Sequence, residues 1–516
     1  MNRRQFARSA MAAGIAPVLL GQQASSSSNR RLRAGFSEQD ITPQIGMEQP
    51  GGYTKAFHRK FHDPCKVRAA VFDNGERKAA LVGIDALVIP RQVVMRARQS
   101  IHEYCGITPE AVMIGASHSH SAGPIGMVLP GEYDGASPLV QKLAYQYSSC
   151  ADPAYLKQVE SQIVHAVTDA NSKSTHVRCS FGVGHEDRVA FNRRFRMRNG
   201  QTWTHPGQGN PDIIRPAGPI DPAVGVVVAW DDDDKMLGCI VNYACHGTTS
   251  PGAISADWIY YLEKTIQGAV GSTPPVVFLQ GCCGDITQVD NQSPYQRPSG
   301  EEWAKLVGGR IGSEAMKAML LSVPGEVEAI DFQSKLLSIP RRLPSPEHLK
   351  TSFAILQSNG GNTSSTEWVF AKEIVMLDAL AARSKQVDAE VQAIQLGPAV
   401  FIATPGEMFC DYGLELRSHS RFPITFPVEL ANGSVGYVPT EEALSPSGGG
   451  YETRLTSYTN LEPTAGTQMV KAGLQLASHM RPGSIPKRAE VDSFHADPNG
   501  IGTHPWSYGD VPPQLS

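Results

Sequence analysis

The chain has 516 residues, 41% of them hydrophobic and 19% charged, and carries a formal net charge of −4. This is the composition of a globular protein with a large core, and it leaves no basic footprint for nucleic acid. Nine scattered cysteines without a C-x-x-C spacing argue against a disulfide framework and a structural zinc site.

The N-terminus reads as a targeting segment. Arg3-Arg4, followed by Phe6 and an apolar stretch from Ala10 to Leu20, matches a twin-arginine signal, and Ser25 to Ser28 read as a flexible leader. The expectation is export to the periplasm or beyond. Residues 1–30 would be signal and leader, 31–482 one large domain and 483–516 a tail. No run is long and apolar enough for a membrane helix.

Strands are predicted at Leu32 to Ile41, Val67 to Phe72 and Lys78 to Ile84, the last two flanking an Asp73-Asn74-Gly75 turn. Periodicity then predicts a helix from Arg91 to Tyr104, a short buried strand from Ala111 to Ala116, and a helix from Ala154 to Ala170. A loop and a helix are expected over 130–149. A strand from Arg178 to Gly184 follows, then a long loop from His205 to Pro222. Val224 to Trp230 and Met236 to Tyr243 form a hairpin around Asp231 to Asp234, whose spacing is not that of an EF-hand. Beyond it lie a strand from Pro275 to Leu279, helices at Trp303–Leu321 and Glu367–Ser384, and a hairpin of Val387–Leu396 with Ala399–Thr404. A last helix falls within Leu461–Met480. The fold class is α/β, mixed sheets with flanking helices. No internal repeat is visible.

Four of these strands end in a residue able to do chemistry: His118, His246, Asp285 or Thr287, and Glu407. The carboxyl ends of strands are where α/β folds gather their sites. In an extended chain His118 and His120 would point the same way, which suits one metal ligand beside one acid/base group. Two histidines and a carboxylate are a common zinc set that keeps a position open for water. Cys245 next to His246 could suggest a thiol hydrolase, but neighbours on a strand face opposite ways.

The motifs also match a known family. The chain resembles the neutral/alkaline (non-lysosomal) ceramidases, zinc amidases that split ceramide. The matching pieces, in family order, include Asp40-Ile41-Thr42-Pro43, the H-x-H-S stretch at His118, Asn192-Arg193, Gly218 to Pro222, Asn242 to His246, Gly284-Asp285-Ile286-Thr287, Pro405-Gly406-Glu407 and Gly436-Tyr437-Val438. The resemblance implies one Zn²⁺ per chain on His118, His246, Glu407 and Tyr437. It implies His120 as the group that hydrogen-bonds the substrate oxygen or shuttles a proton, Arg193 as binding the substrate or its developing charge, Tyr451 as a second phenol facing the reacting carbonyl, and Thr287 where the family has a serine. It implies a lipid-like N-acyl substrate, cleaved by metal-activated water, with at most transient contact with a membrane surface. Three departures bear on the substrate. Thr287 with Gln288-Val289 replaces the family's serine and Pro-Asn, no C-terminal immunoglobulin-like domain is expected after the last helix, and the helical insertion that deepens the lipid pocket of the animal enzymes is not identifiable. A hydrolase of a more polar amide or an ester, or a secreted binding protein of the same fold, are the alternatives.

Overall fold

The structure, a computed structural model, describes residues 31–295, 300–358 and 362–488. The twin-arginine segment and most of the predicted tail lie outside the described residues.

Three sheets share one topology. In the first, Arg33–Asp40, Lys66–Asp73, Lys78–Ile84 and Val112–Ala116 lie side by side in chain order. In the second the strands are Arg178–His185, Ala223–Trp230, Met236–Tyr243 and Val276–Gln280. The third is built from Ile330–Pro340, Gln386–Leu396, Ala399–Ala403 and Ile424–Val428. Each time the first three strands are antiparallel and the fourth runs parallel to the third. A parallel pair needs a crossover. Helices Arg91–Cys105, Trp258–Val270 and Cys410–His419 supply the three. The topology therefore repeats three times although the sequence shows no repeat.

The inner faces of the sheets meet in one apolar core, with Phe72 and Met113, Val227 and Ile240, and Phe401 and Phe426 among its members. Approach is close enough to demand glycine. A Cβ on Gly83 would fall 2.3 Å from the Phe278 carbonyl oxygen, and one on Gly225 would fall 2.1 Å from the Phe426 ring. Helix pairs cover the outer faces: Arg91–Cys105 with Pro153–Ser172, Trp258–Val270 with Glu301–Leu321, and Cys410–His419 with Ala465–Ser478. Among the described residues no helix is long and apolar enough to cross a membrane.

One expectation changes. The loop expected over His205 to Pro222 carries a strand, Ile213–Pro216, paired with Arg194–Met197, which also pairs Thr202–Thr204. Its Gly/Pro-rich surroundings and largely exposed residues leave no periodic signal. Just after the last helix the chain stays tied to the third sheet, where the Gly483 N–H donates to the Gly397 carbonyl.

Candidate metal and catalytic site

Each sheet delivers one residue to a common centre. His118 follows the fourth strand of the first sheet, His246 the third strand of the second, and Glu407 the third strand of the third. His118 and His246 meet edge to face with ring centroids 4.4 Å apart. Glu407 Oε2 lies 3.2 Å from His118 Nε2 and 3.5 Å from His246 Nε2. The H-x-H segment is not extended, contrary to expectation: His118 has φ 62°, an uncommon value outside glycine. That kink still leaves His120 Nε2 3.3 Å from His118 Nε2. One ring nitrogen from each of the three histidines lies within 4.8 Å of the others.

The tautomers follow from the neighbours. His118 Nδ1 contacts the Leu87 carbonyl at 2.9 Å and His246 Nδ1 the Cys283 carbonyl at 2.8 Å. A carbonyl can only accept, so both Nδ1 atoms carry hydrogen and both Nε2 atoms present lone pairs to the centre. Burial, helped by the Arg193 charge, takes His246 down to about 3, so no second proton arrives at neutral pH. His246 Nε2 and Glu407 Oε2 are buried without a hydrogen-bond partner. Bare acceptors turned toward one another repel unless a cation sits between them. The donor set fits a metal ion.

Beside this centre stands a second group. Tyr437 pairs in register with Glu407, and its hydroxyl lies 2.9 Å from that of Tyr451. Arg193 donates to Tyr437 Oη at 3.1 Å, to the Gly284 carbonyl at 2.8 Å and to Glu452 Oε1 at 2.7 Å. Its guanidinium also stacks over both phenol rings. Glu452, which has no exposed surface and also accepts from Thr204, was given no role by the sequence reading; only its position after Tyr451 marks it. Gln280 was missed as well. Its amide donates to the carbonyls of Ser117 and Cys245, the residues preceding His118 and His246, and so ties the two strand ends together.

Other singled-out residues serve elsewhere. Asp285 binds the Cys410 N–H and the Asn192 amide, while its carbonyl accepts from the Arg193 N–H, so it is an anchor for the Arg193 loop. Thr287 is buried. It follows Ile286, whose carbonyl accepts the His246 N–H, and its hydroxyl accepts from the Val289 N–H at 3.3 Å. The Cys245, Cys282 and Cys283 thiols are buried and held upward in pKa by burial, against the thiolate form a thiol hydrolase needs.

A cavity of about 310 Å³ opens beside the centre, with His118, His120, Glu407, Tyr437 and Tyr451 in its lining. Leu87, Val88, Met127, Leu129, Leu380 and Val435 make much of the remaining wall apolar. This is the setting expected for a small-molecule site.

No protein-family profile and no curated protein match the sequence. Solved structures do match in shape. A neutral ceramidase from Pseudomonas aeruginosa superposes with a TM-score of 0.62 at 17% identity, covering 89% of this chain and 77% of that one. A ceramidase complexed with C2 superposes with a TM-score of 0.66, also at 17% identity, covering 90% of this chain and 78% of that one. The chain has the fold of the neutral ceramidases.

Proposed function

We propose that the protein is an exported zinc-dependent amidohydrolase that cleaves the amide bond of an N-acyl, lipid-like substrate. The observation that carries this reading is the pair of imidazole lone pairs and the ionised carboxylate facing one another, buried, beside a largely apolar cavity. His118, His246 and Glu407 would hold the ion, with Tyr437 as the fourth donor. Zinc bound there would supply a Lewis acid for the scissile carbonyl and lower the pKa of water.

The chain's own groups do the rest. His120 Nε2, next to His118 in the cavity lining, takes and returns the proton that moves from nucleophile to leaving amine. The Tyr451 hydroxyl, poised against Tyr437, donates to the oxygen on which negative charge develops. Arg193 fixes both phenols and adds a buried positive charge beside them, while Glu452 holds the guanidinium in place. Thr287, next in chain to the residue paired with His246, assists by hydrogen bonding. The test is elemental analysis of purified protein together with hydrolysis of a panel of N-acyl substrates. Metal-free active protein, or metalloprotein inert on every N-acyl compound, would overturn the reading.

A further inference from the structure

The three histidines of the centre are held in different ways. His118 and His246 are each pinned through Nδ1 to a main-chain carbonyl, whereas among the described residues His120 Nδ1 has no hydrogen-bond partner. The His120 main chain is fixed on both sides. Its N–H donates to the Gly247 carbonyl at 3.0 Å, and its carbonyl accepts from the Gln49 side-chain amide at 3.0 Å. The ring stands edge to face with that of His118, centroids 4.7 Å apart. Gly51 lies against its Nδ1 edge. A Cβ on Gly51 would fall 2.3 Å from His120 Nδ1 and 2.9 Å from Cγ, so only glycine lets the chain lie this close.

Gln49 and Gly51 belong to one hairpin, whose strands Glu48–Gln49 and Ala56–Phe57 are two residues each. So short a ladder cannot hold its own tip, and the surrounding fold does it instead. Tyr53, in the tip, accepts at its carbonyl from Lys372 Nζ at 2.7 Å, and its ring packs on Phe370 at 5.3 Å. Lys372 sits in helix Thr366–Arg383 with no exposed surface. Its ammonium also donates to the Tyr147 carbonyl at 3.1 Å and to the Ser148 hydroxyl at 2.8 Å, with the Glu373 carboxylate 3.2 Å away. All three of its donors are engaged, so this buried cation ties the hairpin tip to the end of helix Pro138–Tyr147.

We propose that the 48–57 hairpin is the positioning element for His120. Gly51 confines the ring against His118, Gln49 fixes the main chain beneath it, and Lys372 anchors the hairpin. Packing sets where the ring stands without committing its Nδ1 to one acceptor. The expected effect on rate rests on the reading of His120 as the proton carrier, but the placement of the ring does not.

The experiment uses the full-length, metal-loaded protein. Gly46 supplies the control: its φ of 95° matches the 92° of Gly51, but a Cβ there meets nothing within 4 Å. Crystal structures of Gly51→Ala and Gly46→Ala should show the His120 ring displaced in the first only, with His118 and His246 in place and metal content unchanged. A ring that keeps its position in Gly51→Ala, or one displaced equally in Gly46→Ala, would overturn the proposal. Turnover is read on the chromogenic anilide of octanoic acid and 4-nitroaniline. Gly51→Ala should lower kcat roughly 100-fold, the cost of misplacing a reacting group by about 1 Å. Gln49→Met, which keeps the volume and removes the donor, should lower kcat roughly 2–10-fold with KM held within about threefold. In a His120→Ala background the ring is gone, and Gly51→Ala should then cost no more than about twofold. The same fall repeated in that background would make Gly51 a loop-stability residue and overturn the proposal. A wild type inert on the anilide would count against the amidase reading alone, and the ring's displacement would still decide the positioning.

Discussion

His118 and His246 come from different sheets, yet their rings meet edge to face at 4.4 Å and each donates its Nδ1–H to a main-chain carbonyl. Neither ring can rotate without breaking that bond, so the two Nε2 lone pairs are aimed before any ion arrives. We expect about one zinc per chain. His246→Ala should lose the metal and the activity together. His120→Ala should keep the metal and slow turnover roughly 100–10,000-fold, the range for losing a general acid/base. Elemental analysis checks both, and zinc loss in the second variant would make His120 a ligand.

Gln280 braces this arrangement through the carbonyls before each histidine. Replacing it with methionine keeps the volume and removes both donors. Metal affinity, measured by competition with a chromogenic chelator, should weaken roughly 10–100-fold, as expected for a group that orients ligands without touching the ion. An unchanged affinity would mean the strand ends hold their spacing unaided.

Thr287 separates two mechanisms. Its hydroxyl accepts the Val289 N–H and keeps its own proton free to donate, and its γ-methyl makes it a hindered nucleophile. Thr287→Ser should be near neutral, and Thr287→Ala should lower kcat roughly 100–1000-fold, as for a lost oxyanion-type donor. Mass spectrometry with a slow substrate should find no acyl adduct; an adduct at Thr287 would establish covalent catalysis.

Stability should vary with pH through Asp63. Burial raises its carboxyl from 3.8 to about 7, although the Ser255 hydroxyl and the Ala256 N–H both donate to it. A folded-state value above the unfolded one means the native protein holds the extra proton between them. This contribution is therefore complete below about pH 4 and lost as pH rises to about 7, by roughly 4 kcal/mol at most. Asp63→Asn, which mimics the neutral form, should gain thermal stability over wild type at pH 8 and match it near pH 4. A constant difference between variant and wild type across that window would assign the charge no such role.

Export is expected to require the guanidinium pair at Arg3 and Arg4. Changing both to lysine should leave the precursor in the cytoplasm, because twin-arginine recognition reads more than charge. Fractionation of cells expressing the variant measures it, and normal export would reduce the segment to an ordinary basic leader.

The sequence by itself determined what is local. An apolar run of five to eight residues followed by a polar one marks a strand end, which is why His118, His246 and Glu407 could be picked out within their own segments. The hairpin around Asp73-Asn74-Gly75 and the helix from Arg91 were legible for the same reason: turn chemistry and periodicity act over a dozen residues or fewer. Strand Ile330–Pro340 was not legible, since much of it is exposed and only its pairing with Gln386–Leu396 defines it. Crossover helices Trp258–Val270 and Cys410–His419 and strand Ile424–Val428 also went unread, and with them the threefold recurrence. The ordered family motifs named the centre's residues, but not how they are held. Only the tertiary structure decided that. Residues 118, 246 and 407 converge because three sheets pack on one core, where Gly83 and Gly225 allow the contact, and Gln280 and Glu452 act on neighbours far away in sequence. Those distances depend on packing across the whole chain, and no local pattern encodes them.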